Sequence, residues 1–137
     1  MPPLPSLSPL RVLIVDEVPE LADTLARLLR LWGHEVAVSY DGPAALQAAA
    51  AHPPDVVLLD VGLPGMDGCE LARRLRLLPG LEKCRLVAIT GHAGPADRRR
   101  CEEAGIDSHF VKPLDPAYLR QLLDKLGQGR LQLVCQA

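Results

Sequence analysis

Asp55-Val56-Val57-Leu58-Leu59-Asp60-Val61-Gly62-Leu63-Pro64-Gly65-Met66-Asp67-Gly68 decides how this chain is read. Four apolar residues, Val56 to Leu59, run straight into an acid, and a loop carrying Pro64 and Gly65 follows. The run is far too short to cross a membrane. Rich in Val and Leu and bounded by turn residues, it predicts a strand buried on both faces, as at the centre of a parallel sheet. Asp60 then stands at the strand's C-terminal end, the edge at which open parallel sheets bind ligands. Asp also opens turns for local reasons, by accepting hydrogen bonds from its own backbone. What else gathers at that edge decides between the two.

Upstream, Arg11-Val12-Leu13-Ile14-Val15 has the same form and ends in Asp16 and Glu17. Pro19 suits the first turn of a helix, where a missing N–H is tolerated. Leu21, Leu25, Leu28, Leu29 and Trp32 then recur at helical spacing until Gly33. A second strand is expected over about His34 to Ser39, then a helix capped by Asp41 and broken by Pro53-Pro54.

Downstream, Asp67 caps a third helix, and Glu70 three residues on predicts a variant capping box. Leu71, Leu75 and Leu78 mark its apolar face, and Pro79-Gly80 ends it. Arg85 to Thr90 predicts a fourth strand, Ile106 to Val111 a fifth, with a polar helix through Ala104 between them. Asp115-Pro116 opens a last helix whose apolar face is Leu119, Leu122, Leu123 and Leu126. Five strand–helix repeats with short, right-handed connections predict a doubly wound α/β fold: an open five-stranded parallel sheet with helices on both faces.

The 137 residues suit one compact core, here spanning 11–126. Residues 1–10, with four prolines, read as an extended lead or linker, and 127–137 as a tail whose Leu131-Gln132-Leu133-Val134 fits helix or strand. A formal net charge of −2 gives no general attraction to nucleic acid or to an anionic membrane. No apolar run reaches membrane-spanning length and no signal-peptide pattern opens the chain, so a cytoplasmic protein is expected. Cys69, Cys84, Cys101 and Cys135 form no Cys-x-x-Cys and read as free thiols. His34, His52, His92 and His109 lack metal-ligand spacing as well.

The strand ends carry the chemistry. The first supplies Asp16 and Glu17, the third Asp60, the fourth Thr90 and the fifth Lys112. A parallel sheet places all of them on one edge. Three clustered carboxylates repel one another unless cations intervene. Lys112 is one such cation, and Mg²⁺, held by carboxylates, waters and a phosphate oxygen, suits the other. That set fits phosphoryl transfer to a carboxylate, with metal and lysine neutralising the moving group and a hydroxyl donating to it.

Other chemistries fit less well. An Asp-nucleophile phosphatase of similar α/β architecture, the alternative reading, uses a second acid two residues after the first, where Gly62 stands. A dinucleotide binder needs a glycine-rich turn after the first strand, but Asp16-Glu17-Val18-Pro19-Glu20 is acidic and would repel a pyrophosphate. Arg98-Arg99-Arg100 is followed by Glu102 and Glu103 and reads as a solvated helix face, not a nucleic-acid interface.

From about Arg11 to Leu126 the chain resembles the receiver domain of two-component response regulators. The resemblance rests on Val15-Asp16-Glu17, Leu59-Asp60, Leu63-Pro64-Gly65-Met66-Asp67-Gly68, Thr90-Gly91 and Val111-Lys112-Pro113, and on their spacing. It implies a flavodoxin-like sheet of order 2-1-3-4-5. It implies Asp60 as phosphoacceptor, Asp16 and Glu17 as the acidic pair for Mg²⁺, and a Gly62 carbonyl on the metal. Thr90 would be the switch hydroxyl, Lys112 the phosphate partner, and the Lys112–Pro113 bond cis. The donor would be a histidine kinase or phosphotransfer protein, and the domain, not a conventional turnover enzyme, would lose its phosphate by itself. Its motif resembles receivers of hybrid histidine kinases, so it stands free or beside a kinase core in cis.

Two departures stand out. Glu17 occupies a place where Asp is commoner, so its longer side chain reaches a metal through water. His109 stands where many relatives carry Tyr or Phe, and is expected to face solvent as part of a partner surface. His92, beside the site, is expected to influence phosphate lifetime.

Overall fold

The structure, a computed structural model, describes residues 9–62, 66–91 and 95–131. Its elements alternate along the chain: β1 (Arg11–Val15), α1 (Pro19–Leu31), β2 (Glu35–Ser39), α2 (Gly42–Ala51), β3 (Val56–Asp60), α3 (Gly68–Arg76), β4 (Arg85–Thr90), α4 (Pro95–Glu103), β5 (Ser108–Val111) and α5 (Pro116–Leu131). The strands form one parallel sheet in the order β2-β1-β3-β4-β5. The apolar run Val56–Leu59 is its central strand, buried to within 1%.

Alternate side chains of the buried strands serve opposite layers. Val12, Ile14, Val56, Leu58, Val87 and Ile89 pack with Ala22, Ala26 and Leu29 of α1 and Leu119 and Leu123 of α5. Leu13, Val15, Val57, Leu59, Leu86 and Ala88 pack against α2, α3 and Cys101 of α4. Small residues, Ala45 and Ala49, let α2 approach the sheet closely.

The caps follow the polar residues that precede the helices. Asp41 Oδ1 accepts from Ala44 N–H at 2.8 Å, and Asp67 Oδ1 from Glu70 N–H at 2.8 Å. The reciprocal half of the predicted capping box is replaced: Glu70 bonds Arg74 at 3.0 Å one turn on and lies 3.7 Å from Arg73. The last strand begins at Ser108, later than expected, because Ile106 N–H closes the end of α4 on Cys101 O at 3.0 Å. The last helix runs on to Leu131, so the first tail residues continue it. Residues 1–8, most of the proline-rich lead, and 132–137 with Cys135 lie outside the described residues. No helix among those described is long and apolar enough to cross a membrane.

His34 ties the chain's entry to this body. It is buried, and its Nδ1 accepts the Leu10 N–H at 3.0 Å, so that nitrogen carries no proton. Burial lowers its pKa from 6.5; Asp124 pulls the other way, and Arg120 adds to the lowering. Arg120 itself lies 5.3 Å over the Trp32 ring. Below about pH 6.5 the unfolded chain therefore binds a proton at His34 more readily than the folded chain does. Stability contributed by neutral His34 is complete above the unfolded value and is lost as pH falls below about 6.5. Thermal melts from pH 7.5 down to 5.5 should show a decline in Tm that His34→Gln flattens; parallel curves for the two proteins would remove His34 as its cause.

Candidate functional site

Asp16 and Asp60 are built alike. Asp16 follows β1, and its own N–H extends the sheet by donating to Ser39 O at 3.1 Å. Its Oδ1 turns back to accept Val18 N–H at 3.0 Å. Asp60 ends β3, and its Oδ1 accepts Gly62 N–H at 2.9 Å. Each carboxylate is thus oriented by a backbone donor two residues on, the local preference of Asp in turns. Each then presents Oδ2 to one nitrogen: Lys112 Nζ donates to Asp60 Oδ2 at 3.3 Å and lies 4.0 Å from Asp16 Oδ2.

Lys112 reaches them because its strand pairs beside β4. Its N–H donates to Thr90 O at 2.8 Å, Thr90 lies in register with Val111, and the Lys112–Pro113 peptide is cis, as expected. Thr90 is buried at the end of β4, so a hydroxyl closes the same sheet edge. The acid side chains are 14% and 13% exposed and that of Lys112 35%. Two largely desolvated carboxylates sharing one ammonium leave excess negative charge, which a second cation relieves.

The remaining predicted residues stand differently. Glu17 is exposed, and among the described residues no three acids, histidines or cysteines gather at metal-ligand spacing. The structure brings together Asp16, Asp60 and Lys112 and leaves Glu17 outside that group. Mg²⁺ takes oxygen donors, needs only one or two carboxylates and keeps several waters, so the Asp16–Asp60 pair fits it. Gly62 is exposed and bonds Asp60 through its N–H. His92 lies outside the described residues.

His109 departs from expectation. It is half-buried, and both ring nitrogens are shielded from solvent. Its register partner is Ala88, whose side chain belongs to the layer under α3 and α4, so the ring turns to that side. There it helps line a cavity of about 140 Å³ with Arg98, Cys101 and Glu102 of α4.

Three supports escaped the sequence reading. Gly68 packs against the strand that carries Asp60: its N–H donates to Val61 O at 2.9 Å, and a Cβ there would meet Val61 Cα at 2.6 Å and Asp60 O at 2.8 Å. Arg76 donates to the carbonyls of Leu81, Cys84 and Gly105 and to Asp107, tying α3 to both ends of the β4–α4 segment. Arg100 of α4 donates to the capping Asp67 at 3.0 Å. The glycine alone had a local signal, its place directly after a capping Asp.

Known proteins share this fold. The family model of the response regulator receiver domain matches residues 12–124. Response regulator PleD of Caulobacter vibrioides is 38% identical over 121 residues, which cover 88% of this chain and 27% of that protein. The chain spans from 16% to 46% of the length of several such curated relatives. Chemotaxis protein CheY4 of Vibrio cholerae superposes with a TM-score of 0.82 at 26% identity, covering 86% of this chain and 98% of that one. The receiver domain of the sensor histidine kinase PA1611 from Pseudomonas aeruginosa gives 0.79 at 28% identity, covering 88% and 98%, and was solved with magnesium coordinated in its active site cleft. With its sheet order, its acidic edge and a family match over most of its length, the chain belongs to the response regulator receiver domains of two-component signalling.

Proposed function

We propose that Asp60 accepts a phosphoryl group from a phosphohistidine on a histidine kinase or phosphotransfer protein, and that this switches a partner-binding surface. The supporting observation is the pair of oriented carboxylates, Asp16 and Asp60, that share the ammonium of Lys112 at 4.0 and 3.3 Å. A carboxylate fixed by one backbone N–H is a positioned nucleophile. Lys112, already at its side, neutralises charge on the oxygens of the incoming group. Asp16, Asp60 and the Gly62 carbonyl would hold Mg²⁺, with Glu17 reaching it through water, and the ion would supply further charge neutralisation on those oxygens. The buried Thr90 hydroxyl is the group that follows the phosphate and passes its arrival to α4.

The kinase core stands either on a separate protein or in cis, as for the kinase-borne PA1611 receiver. The three buried free thiols among the described residues suit a reducing compartment such as the cytoplasm. The reading is tested with acetyl phosphate as donor. With Mg²⁺ the intact mass should rise by one phosphate, lost again in base, and a chelator should prevent the gain. Labelling that ignores chelation would remove the metal from the reading, and no labelling by any phosphodonor would remove the reading itself.

A further inference from the structure

Away from the acidic edge, the interior holds a pair of nucleophilic side chains with no role in phosphate chemistry. The sulfurs of Cys69 and Cys101 lie 3.6 Å apart in a buried thiol–thiol contact. Cys69 is the second residue of α3, just behind the loop that leaves Asp60, and Cys101 lies near the end of α4. Cys84, the third free thiol described, is kept protonated by burial, which pushes its pKa up to about 12.

The helix that brings Cys101 is weakly rooted. Its sequence, Pro95-Ala96-Asp97-Arg98-Arg99-Arg100-Cys101-Glu102-Glu103, is mostly charged, and among its described side chains Cys101 alone is buried. Its hold on the domain passes through that sulfur, through Ala104 and Ile106 after it, and through the Arg100–Asp67 ion pair. Asp67 and Cys69 lie in one turn at the start of α3, so Arg100 and Cys101 land on the same spot. A helix with so few buried contacts opens locally far more often than the whole domain unfolds. Each opening would uncover Cys101 and the side of Cys69 that it rests on.

We propose that Cys69 and Cys101 are an oxidation site at which a hydroperoxide joins α3 to α4 through a reversible disulfide. One thiolate attacks a peroxide oxygen, the O–O bond breaks, and the thiol becomes a sulfenic acid while the peroxide leaves as an alcohol, or as water from hydrogen peroxide. The second sulfur attacks the sulfenyl sulfur, the S–O bond breaks, its oxygen leaves as water and the S–S bond forms. Two thiols lose two electrons and two protons, and the peroxide takes them up. Closing the bond at its usual length of about 2.05 Å draws the sulfurs together by roughly 1.5 Å from their 3.6 Å contact. The cross-link adds a covalent tie between α4 and α3 beside the Arg100–Asp67 ion pair. Its chemistry is independent of phosphate; its consequence, an α4 that no longer answers Thr90, rests on the phosphoacceptor reading.

The test uses the full chain treated with hydrogen peroxide, then alkylated and mapped by peptide mass spectrometry. The expected product has lost two hydrogens, links the Cys69 and Cys101 peptides, and returns to two thiols with dithiothreitol. Amides of α4 should exchange at least about tenfold more slowly after oxidation, since the cross-link suppresses the local opening. Cys69→Ala and Cys101→Ala should each abolish the link and Cys84→Ala preserve it. The link should also form in Asp60→Asn, so that its failure is separable from failure of phosphorylation. Two freely alkylated thiols, or oxyacids on one sulfur without a link, would overturn the proposal. A link that leaves α4 exchange unchanged would overturn the clamp.

Discussion

Asp60→Asn should take up no phosphate from acetyl phosphate under conditions expected to label the wild type. The two side chains are nearly the same size, so the reason is chemical. An amide oxygen is a poor nucleophile beside a carboxylate, and the substitution removes one of the two charges that draw a cation to this edge. The fold should survive. The carbonyl of the amide still accepts Gly62 N–H in the turn that now holds Oδ1 at 2.9 Å. Lys112 keeps a carboxylate partner in Asp16, 4.0 Å away, and the repulsion between the two acids is relieved. Stability should therefore change by less than about 2 kcal/mol, within the ordinary range of single substitutions. Intact mass reports the label and a thermal melt the fold. Equal labelling of the two proteins would place the phosphate elsewhere and sink the assignment of Asp60.

Why Asp60 could be found in the sequence at all is a matter of burial. A strand covered on both faces has no polar positions to interrupt it, so Val56–Leu59 and Val12–Val15 stand out as unbroken apolar runs whose first acid marks the strand end. Topology then does the gathering, bringing Asp16, Asp60, Thr90 and Lys112 to one edge without any long-range contact being known. Where signals were only local, the reading erred. Ile106 is apolar and next to a strand, yet its N–H is committed to the end of α4. Residues from 127 on were read as a tail, but α5 continues to Leu131. His109 was judged by its polarity and not by its register beside Ala88, which turns it toward α4. The Cys69–Cys101 contact and the Arg76 strap join residues far apart in the chain, between helices whose relative placement no local pattern encodes.

Gly68→Ala should destabilise the domain by about 2 kcal/mol or more, the scale of an overpacked core, and impair labelling of Asp60 as well. Helix preference argues the other way. Alanine is favoured over glycine inside a helix by about 1 kcal/mol, and it reduces the freedom of the unfolded chain. Gly68 opens α3 without a positive φ, so alanine meets no backbone penalty there. Sterics decide the sign. A Cβ would stand 2.6 Å from Val61 Cα, 2.8 Å from Asp60 O and 2.8 Å from Leu59 Cδ1. Two of those atoms are backbone in or next to the strand that carries Asp60, and neither can yield without moving it. Gly42 supplies the matched control. It too is the first residue of a helix behind a capping Asp, but a Cβ there meets Met66 Sδ at 2.9 Å, an atom on a flexible side chain that can swing aside. Gly42→Ala should therefore stay within about 1 kcal/mol of the wild type and label normally. The two variants share the propensity and entropy gains and differ in what the new methyl strikes. Chemical denaturation of both, with intact-mass labelling, separates the effects. Equal stabilities would mean that the approach of α3 to the Asp60 strand is looser than these distances.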